Sequence, residues 1–378
     1  MRTVDLQECR RQLDEIDGQI VELFERRMAI CGDVAESKIE SGKAVYDGAR
    51  EAQKLEAVGA MAHGMFNQNA VRELFAQMMT ISRRYQYRLL AEHGKSRDLG
   101  FERLEALPTG QARVVYQGAE GAYQHAATLK YFGEQADAYH VATFEDAMRE
   151  VQEGRADYAV LPIENSSAGA VVDNYDLLVR YQNYIVAEIF LPVDHYLLGV
   201  EGAELSDIRT VYSHPQALMQ CSRYLNEQRQ WQQISMANTA LAARKVQENG
   251  DRTQAAVASE IAGRLYGLKV LKPQIQNNQG NTTRFIILAN RPMYRADASK
   301  VSICFELPHQ SGTLYNMLGH FIFNHVNMRM IESRPIPGRN WEYRFFVDIE
   351  GSLDDAGVQN ALNGITEEAL NTRILGNY

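Results

Sequence analysis

The stretch that decides the fold is QGNTTRFIILA, residues 279–289, because its character changes abruptly halfway along. Six polar or small residues run directly into five apolar ones, which predicts a loop that enters a buried strand. The loop half offers the hydroxyls of Thr282 and Thr283, two amides and a cation side by side. Two interpretations are open at this point: a polar turn before a strand, or a place where chemistry occurs.

The same pattern recurs from about residue 113 onward. RVVYQG and YAVLPIEN are typical of strands that enter loops, and TVYSHP and AAVASE repeat that form. Helical stretches such as ATFEDAMREVQEG lie between them. The alternation predicts an α/β unit in two lobes over residues 113–292, with ligands gathered at the loops that follow the strand ends.

Different patterns flank this unit. Residues 1–92 predict an all-α unit of three helices, the first about 50 Å long at 1.5 Å per residue. So long a helix cannot bury its apolar stripe alone, so we expect a dimer; the stripe comprises Leu13, Ile16, Ile20, Leu23, Ile30 and Val34. The polar segment 93–112 predicts a linker. Residues 299–378 predict a ferredoxin-like α+β module, βαββ with a last helix near 354–363.

Composition restricts the function classes. The net charge of −9 over 378 residues argues against a general nucleic-acid binder but not against small anionic substrates. Four scattered cysteines without a CxxC pair disfavour a zinc site or a disulfide framework. The sequence shows no signal-peptide pattern and no run of about 18 apolar residues, so we expect a cytoplasmic protein without a membrane span. No metal-ligand cluster or Gly-rich nucleotide fingerprint is present, so no cofactor is implied.

Polar side chains fall on the core-facing stripes of the N-terminal helices. At about 100° per residue, Arg27 and Lys38 lie on the apolar face of the first helix, and Ser82 and Gln86 lie on that of the third. Such groups need partners when they are buried. Salt bridges or a snorkelling lysine would supply partners within the protein, whereas an internal pocket would receive them from an anionic ligand. Arg10 leaves the stripe and could reach a neighbouring subunit.

ECRRQLDEIDGQIVELFERR (8–27), followed by Lys38 and DGAREAQ (47–53), resembles the all-helical chorismate mutases. The resemblance covers the whole helical unit and implies an intertwined homodimer that rearranges chorismate to prephenate. This pericyclic reaction requires a held conformer and donors to the ether oxygen, with no nucleophile.

The resemblance also implies roles for individual residues. Arg10, from the partner chain, and Arg27 would clamp the two carboxylates of chorismate. Lys38 and Gln86 would donate to the ether oxygen, and Glu51 would meet the ring hydroxyl. The pocket would be completed by Asp47, Arg50 and Ser82.

Four loops of the middle unit together resemble prephenate dehydratase; they are QGAEGAY, PIENSSAG, SHPQA and NTTRF. Each loop alone is weak evidence for an active site, since turns are rich in such residues and Glu164 or His214 could simply belong to a cap or a turn. The resemblance implies a two-lobed, periplasmic-binding-protein-like fold with its active site in the cleft. The implied reaction removes water and CO2 from prephenate and gives phenylpyruvate.

The motif positions again imply roles. Thr283 would hydrogen-bond or protonate the leaving hydroxyl, with relay from water or Glu164 as an alternative source of the proton. Arg284 would bind a carboxylate as a fork. Further candidate contacts to prephenate are Asn165, Ser166, Ser213, His214 and Gln216. Gln124 departs from the family pattern, and its role is open.

HQSGTLYNML (309–318) and IESRPIPGRNWEYRFFVDIEG (331–351) resemble an ACT regulatory domain that binds phenylalanine. A glycine loop opens a helix whose N–H groups can receive a carboxylate. A module used only for dimerisation is the alternative. The implied effector-binding residues, at an interface between two such domains, are Gly312, Thr313, Leu314, Glu332, Ser333 and Arg334.

The predicted protein is therefore a feedback-inhibited bifunctional mutase–dehydratase of phenylalanine synthesis. Two alternatives are open from the residues. The same architecture could act on arogenate, which carries an amine where prephenate has a ketone. The two-lobed unit could also be a binding module that consumes nothing.

Overall fold

A computed structural model describes residues 5–93 and 99–378 and divides the chain into two compact units. One unit contains the N-terminal helices together with residues 303–374, and the other contains residues 100–302 with 375–378. The first four residues of the predicted helical unit and residues 94–98 of the predicted linker lie outside the described residues. The predicted domain limits stay a prediction.

The N-terminal region is helical, as predicted. Its helices are α1 (Leu6–Ser41), α2 (Gly48–Met61) and α3 (Met65–Glu92). Helix α1 begins at the Asp5 cap, whose carboxylate accepts from the backbone N–H of Gln7, and it ends at Gly42 in the left-handed conformation (φ 68°). Its 36 residues correspond to about 54 Å. Helices α1 and α2 both pack against α3.

The other unit contains alternating strands and helices. In chain order they are β1 (Glu102–Leu104), β2 (Arg113–Gln117), α4 (Tyr123–Phe132), β3 (Asp137–Val141), α5 (Phe144–Gln152), β4 (Tyr158–Asn165), β5 (Gly169–Ala170), α6 (Val172–Arg180), β6 (Tyr184–Pro192), β7 (Tyr196–Gly199), β8 (Thr210–Ser213), α7 (Pro215–Gln220), α8 (Ser222–Glu227), β9 (Gln232–Ser235), α9 (Thr239–Asn249), β10 (Gln254–Ala258), α10 (Glu260–Leu265), β11 (Lys269–Lys272), β12 (Thr282–Ala289) and β13 (Met293–Arg295). A 3₁₀ turn spans Leu205–Asp207.

These elements form the two lobes that the sequence predicts. One lobe has the sheet order β3-β2-β4-β12-β6, and the other has β11-β7-β10-β8-β9. Strand β12 is antiparallel to both of its neighbours, β4 and β6. Strand β1, inside the segment predicted as a linker, pairs in parallel with β13. The chain crosses between the lobes after β6 and returns into β12.

Strand β12 contains the stretch that opened the sequence analysis. Phe285 to Ala289 are buried, which confirms the predicted buried strand. The strand begins earlier than the apolar run, however, because Thr282 and Thr283 already pair with Pro192 and Leu191 of β6. The polar residues therefore occupy ladder positions, which fix their direction more firmly than a loop would.

The C-terminal region has the order of a ferredoxin-like module. Its elements are β14 (Lys300–Glu306), α11 (Thr313–Phe323), β15 (Met328–Pro335), β16 (Tyr343–Glu350), α12 (Ala356–Glu368) and β17 (Leu370–Asn377). The strand order is β15-β16-β14-β17, and the last strand completes a βαββαβ order where the sequence predicted βαββ and a helix. Helices α11 and α12 pack on each other and on α3. In the described part of the chain, no helix combines the length and apolarity that crossing a membrane needs.

Candidate active sites

A cavity of about 580 Å³ lies between the two lobes of the α/β unit. Strand ends and helix starts from both lobes line it, which is where open α/β sheets collect ligands. Four of the predicted prephenate contacts are brought together here: Asn165, His214, Gln216 and Thr283. Gln124 also lines this cavity and donates to Gln117 Oε1 (2.9 Å).

The hydrogen-bonding role of the Thr283 hydroxyl is fixed by its neighbour on β4. Asn165, its cross-strand neighbour on β4, donates from Nδ2 to Thr283 Oγ1 (2.9 Å). The orientation of that amide is fixed, because Asn165 Oδ1 accepts from the backbone N–H groups of Ser167 (3.0 Å) and Ala168 (2.9 Å). Thr283 Oγ1 therefore accepts within the protein and keeps its own hydrogen for donation. The side chain is only 9% exposed.

Arg284 occupies the opposite environment. Successive strand residues alternate between faces, so Arg284 does not share the direction of Thr283. Its Nε donates to Glu188 Oε2 (2.7 Å) and its Nη2 donates to the Tyr378 hydroxyl (2.7 Å). It does not line the cavity. This geometry gives no support to the predicted carboxylate contact of Arg284.

Three other predicted residues hold the surrounding loops. Glu164 is 46% exposed, lies 3.9 Å from Arg284 Nη1 and does not line the cavity. Ser166 Oγ accepts from the backbone N–H of Thr282 (2.9 Å). The buried Ser213 donates to the carbonyl of Val257 (2.5 Å). These contacts connect the strand ends that border the cavity.

Sequence reasoning missed a histidine in this cavity. His195 Nδ1 lies 3.0 Å from the Tyr123 hydroxyl and its Nε2 lies 2.8 Å from Gln220 Oε1. Burial lowers the pKa of His195, which favours the neutral ring. His195 stands in LPVDHYLL, a short polar interruption between two apolar strands. That interruption is the signal that could have found it.

Helix starts border the cavity, together with the carboxylate of Asp173 in the first turn of α6. The first residues of α4, α6 and α9 line it, and α4 and α6 have no side-chain cap. No Lys or Arg is among the described residues that line the cavity. Unpaired N–H groups at helix starts favour anions, so backbone dipoles and amides can receive carboxylates here.

In the helical region, Arg27 of α1 contacts Ser82 of α3, whereas Lys38 contacts the segment between α1 and α2. Arg27 Nη1 donates to Ser82 Oγ (2.5 Å) and to the Met78 carbonyl (3.4 Å). Lys38 Nζ donates to the Val45 carbonyl (2.7 Å). Among the described residues, no carboxylate oxygen lies within 4.0 Å, the limit for a salt bridge, of the side-chain nitrogens of Arg27 or Lys38. The geometry therefore favours binding of an anionic ligand by these two cations over salt bridges within the protein.

Electrostatics distinguish Lys38 from a surface lysine. Burial lowers the pKa of Lys38, against the opposing influence of Glu367, Asp47 and Glu51. Asp47 caps α2 by accepting from the backbone N–H of Arg50 (3.0 Å), and Arg50 Nη1 donates to Gln53 Oε1 (2.9 Å). The pocket thus places a partly desolvated ammonium group beside acidic side chains.

The remaining predicted mutase residues occupy contrasting environments. Gln86 is buried, and its Oε1 has no hydrogen-bond partner among the described residues. Glu51 accepts from Arg83 Nη1 (2.5 and 2.6 Å). Arg10 is exposed on α1. The sequence did not single out Arg83.

The predicted effector residues are divided between two places. Gly312 has φ 84° and precedes α11. Thr313 and Leu314 line a small cavity of about 90 Å³ with Trp341, Tyr343 and Phe345. Glu332, Ser333 and Arg334 lie on β15 and do not line that cavity. No group of three or more His, Cys, Asp or Glu side chains in residues 5–93 and 99–378 could hold a metal ion.

Comparisons with known proteins match the chain both in segments and as a whole. Residues 9–87 match the family described as chorismate mutase type II, and residues 114–293 match prephenate dehydratase. The bifunctional chorismate mutase/prephenate dehydratase of Escherichia coli strain K12 is 34% identical over 376 residues, which covers 98% of this chain and 95% of that protein.

Two further relatives each cover about seven tenths of this chain. Arogenate dehydratase/prephenate dehydratase 1 of Arabidopsis thaliana is 42% identical over 284 residues, or 71% of this chain and 72% of the relative. The crystal structure of prephenate dehydratase from Arthrobacter aurescens in complex with L-Phe has a TM-score of 0.65 and 30% identity. It covers 70% of this chain and 89% of that chain.

Proposed function

The chain belongs to the family of bifunctional chorismate mutase/prephenate dehydratases, and from that premise we propose where and how each reaction occurs. The enzyme rearranges chorismate to prephenate and converts prephenate to phenylpyruvate with loss of water and CO2. The mutase site lies in residues 1–92, the dehydratase site in residues 113–292, and residues 299–378 form an ACT regulatory domain.

In the dehydratase site, Thr283 donates its hydroxyl hydrogen to the departing ring hydroxyl of prephenate. The carrying observation is the Asn165–Thr283 hydrogen bond, which leaves Thr283 a donor toward the cavity. The helix starts, His214 and Gln216 receive the carboxylates and the ketone. Asn165 acts through Thr283. A proton relay through Glu164 stays a prediction, as does a substrate contact by Arg284.

In the mutase site, Arg27 binds a carboxylate of chorismate, and Lys38 and Gln86 donate to the ether oxygen. Their donors lack an internal anion, and the reaction develops negative charge on that oxygen. Glu51 contacts the ring hydroxyl. No residue has to act as a nucleophile, because the rearrangement needs only a held conformer and placed donors.

A second copy of the chain completes the mutase site. The apolar stripe of α1 is exposed in the single chain, with Leu13 at 57%, Leu23 at 60% and Ile30 at 62%. A contiguous apolar face of this kind is typical of a protein interface. Pairing α1 with its copy buries the stripe and brings the exposed Arg10 to the partner's pocket. A homodimer is therefore the expected minimum assembly.

The C-terminal module binds L-phenylalanine and lowers activity. Support comes from the similar Arthrobacter aurescens protein solved with L-Phe, and from the helix start after Gly312 beside an aromatic-lined cavity. Gly312→Val should relieve inhibition, since a β-branched residue is strained at φ 84°. Unchanged inhibition would count against the assigned effector site.

The test of the whole proposal is one assay with identified products. Purified enzyme is given chorismate, with and without L-phenylalanine, and prephenate and phenylpyruvate are quantified. Both should form, and both rates should fall with phenylalanine. A parallel assay compares prephenate with arogenate, the substrate that the Arabidopsis thaliana relative's name includes. A preference for arogenate would change the proposed substrate of the dehydratase. Binding of prephenate without turnover would refute the proposed dehydratase activity.

A further inference from the structure

A chain of charged side chains connects the mutase site to the C-terminal module within one compact unit. Arg83, on α3, is at its centre. Its Nη1 donates to the Glu51 carboxylate (2.5 and 2.6 Å) of α2. Its Nε and Nη2 donate to Glu368 Oε1 (2.8 Å) and Oε2 (3.1 Å) at the end of α12. His320 Nε2 of α11 lies 3.1 Å from Glu368 Oε1.

The geometry of this chain is well suited to fixing a carboxylate. The Arg83–Glu368 pair is bidentate, the arrangement that adds directional specificity to the charge–charge attraction. Both side chains are nearly removed from water, at 7% and 8% exposure. Arg83 Nη2 also donates to Thr80 Oγ1 (3.2 Å), so its fork is satisfied on three sides. An arginine held so firmly gives Glu51 little freedom to reorient.

The protonation states agree with the contacts. Burial opposes the charge of Arg83, but Glu368 and Glu51 outweigh it and raise the pKa of Arg83. Burial likewise opposes the charge of Glu368, but His320 and Arg83 lower the pKa of that carboxyl. Both groups stay charged at neutral pH.

A second acid at the end of α12 reaches the same site. Glu367 Oε2 accepts from the backbone N–H of Tyr46 (3.0 Å) and from the Tyr87 hydroxyl (2.9 Å). Tyr46 lies between α1 and α2, next to the Asp47 cap. Two successive residues of the C-terminal module therefore bind elements that carry mutase residues.

We propose that Arg83 is a positioning residue of the mutase site, holding Glu51, and that Glu368 of the C-terminal module holds Arg83 in turn. This rests on the proposed contact between Glu51 and the ring hydroxyl of chorismate. Arg83 is assigned no contact with substrate. The C-terminal module is thereby part of the framework of the mutase pocket, independent of any effector.

The test measures mutase kcat and KM separately for Arg83→Ala, Arg83→Lys, Glu368→Gln and the double variant Arg83→Ala/Glu368→Gln. Circular dichroism reports on folding of the helical unit, and dehydration of supplied prephenate reports on the other unit. Arg83→Ala should lower mutase kcat/KM about 10- to 100-fold, since displacing a reacting contact by an ångström has effects of that order. Arg83→Lys should recover part of the loss, and Glu368→Gln should cause a smaller one. The double variant should resemble Arg83→Ala, because Glu368 acts only through Arg83.

Arg88→Ala is the matched control. Arg88 lies on the same helix, in an exposed pair with Glu92 (3.7 Å), and mutase kcat/KM should stay within about twofold. A merely structural Arg83 would leave the kinetics of folded variants unchanged, and that result would overturn the inference.

Glu51→Gln separates the inference from its premise. If Glu51→Gln loses mutase activity while the Arg83 variants keep normal mutase kcat/KM, the positioning role of Arg83 is overturned and the role of Glu51 stands. Full activity of Glu51→Gln overturns both. If circular dichroism shows that Arg83→Ala fails to fold, Glu368→Gln decides, because it preserves the shape of the side chain. An unchanged mutase kcat/KM in Glu368→Gln overturns the role of the C-terminal module.

Discussion

The two proposed active sites bind dianionic substrates with different kinds of side chain. The proposed mutase site has cationic and anionic side chains, including Arg27, Lys38 and Glu51, carried on helices. The described lining of the dehydratase cavity has no Lys or Arg; it offers amides, hydroxyls, helix starts and the carboxylate of Asp173. Both chorismate and prephenate carry two carboxylates, so substrate charge alone does not explain the difference.

The reactions explain it. In the mutase, negative charge grows on the ether oxygen, and a cation beside that oxygen stabilises the transition state more than the substrate. In the dehydratase, one carboxylate loses its charge as it departs as CO2. A tight arginine clamp on that group would stabilise the bound substrate more than the transition state and slow the step. Weak, oriented donors suit the second reaction, whereas point charges suit the first.

The largest expected effect is at Lys38. Lys38→Ala should lower mutase kcat about 10³-fold or more, because it removes the charged side chain proposed to donate to the ether oxygen. Dehydration of supplied prephenate should continue at the normal rate. Both rates are measured on one preparation, with Lys43→Ala as the control, since Lys43 is an exposed lysine just beyond α1. Equal loss of both activities would contradict separate sites.

The corresponding change in the cavity is Thr283→Ala. It should lower dehydratase kcat about 10²- to 10³-fold, since the departing hydroxyl loses its donor. Prephenate should then accumulate from chorismate at an unchanged mutase rate. Thr282→Ala is a matched control: it removes the adjacent hydroxyl, which does not line the cavity. A similar loss in both variants would indicate strand damage rather than loss of a donor.

A smaller effect is expected at Asn165, which acts through Thr283. Asn165→Ala should lower dehydratase kcat about 10-fold, the size of one hydrogen bond's net contribution. Asn165→Asp should be worse, because a carboxylate would accept the Thr283 hydrogen and repel the substrate. Dehydratase kcat of the two variants is compared at neutral pH. Higher activity in Asn165→Asp than in Asn165→Ala would refute the donor assignment for Thr283.

Much of this architecture could be predicted from sequence. Helical periodicity identified the three N-terminal helices, and the strand-then-loop pattern identified the lobes. The resemblance to prephenate dehydratase then singled out Thr283, which lines the cavity. The same resemblance led to the prediction for Arg284, although the alternation of side chains along a strand separates it from Thr283. Treating residues 279–284 as a loop concealed that distinction.

Other parts depend on contacts that a single sequence does not display. His195 stands alone in a short connection, without a partner at a recognisable spacing. Arg83 and Glu368 are 285 positions apart, and their pairing depends on how α12 packs on α3. Local patterns report the face of an element, whereas tertiary packing determines which faces meet.

The smallest expected effect is a difference in pH dependence. Because burial lowers the pKa of Lys38, this lysine loses its charge at a lower pH than an ordinary lysine with pKa 10.5. Mutase kcat/KM, which reports the free enzyme, should therefore decline on the alkaline side below pH 10.5. Bound chorismate favours the charged form, so the decline in mutase kcat should come at higher pH.

The dehydratase cavity has no lysine in its described lining and should not share this decline. His195 lies in that cavity, and burial lowers its pKa, so a decline caused by protonation of its ring should lie below pH 6.5. Both profiles are recorded on one preparation. Coincident alkaline declines would indicate unfolding rather than titration of Lys38, and would remove the electrostatic contrast between the two sites.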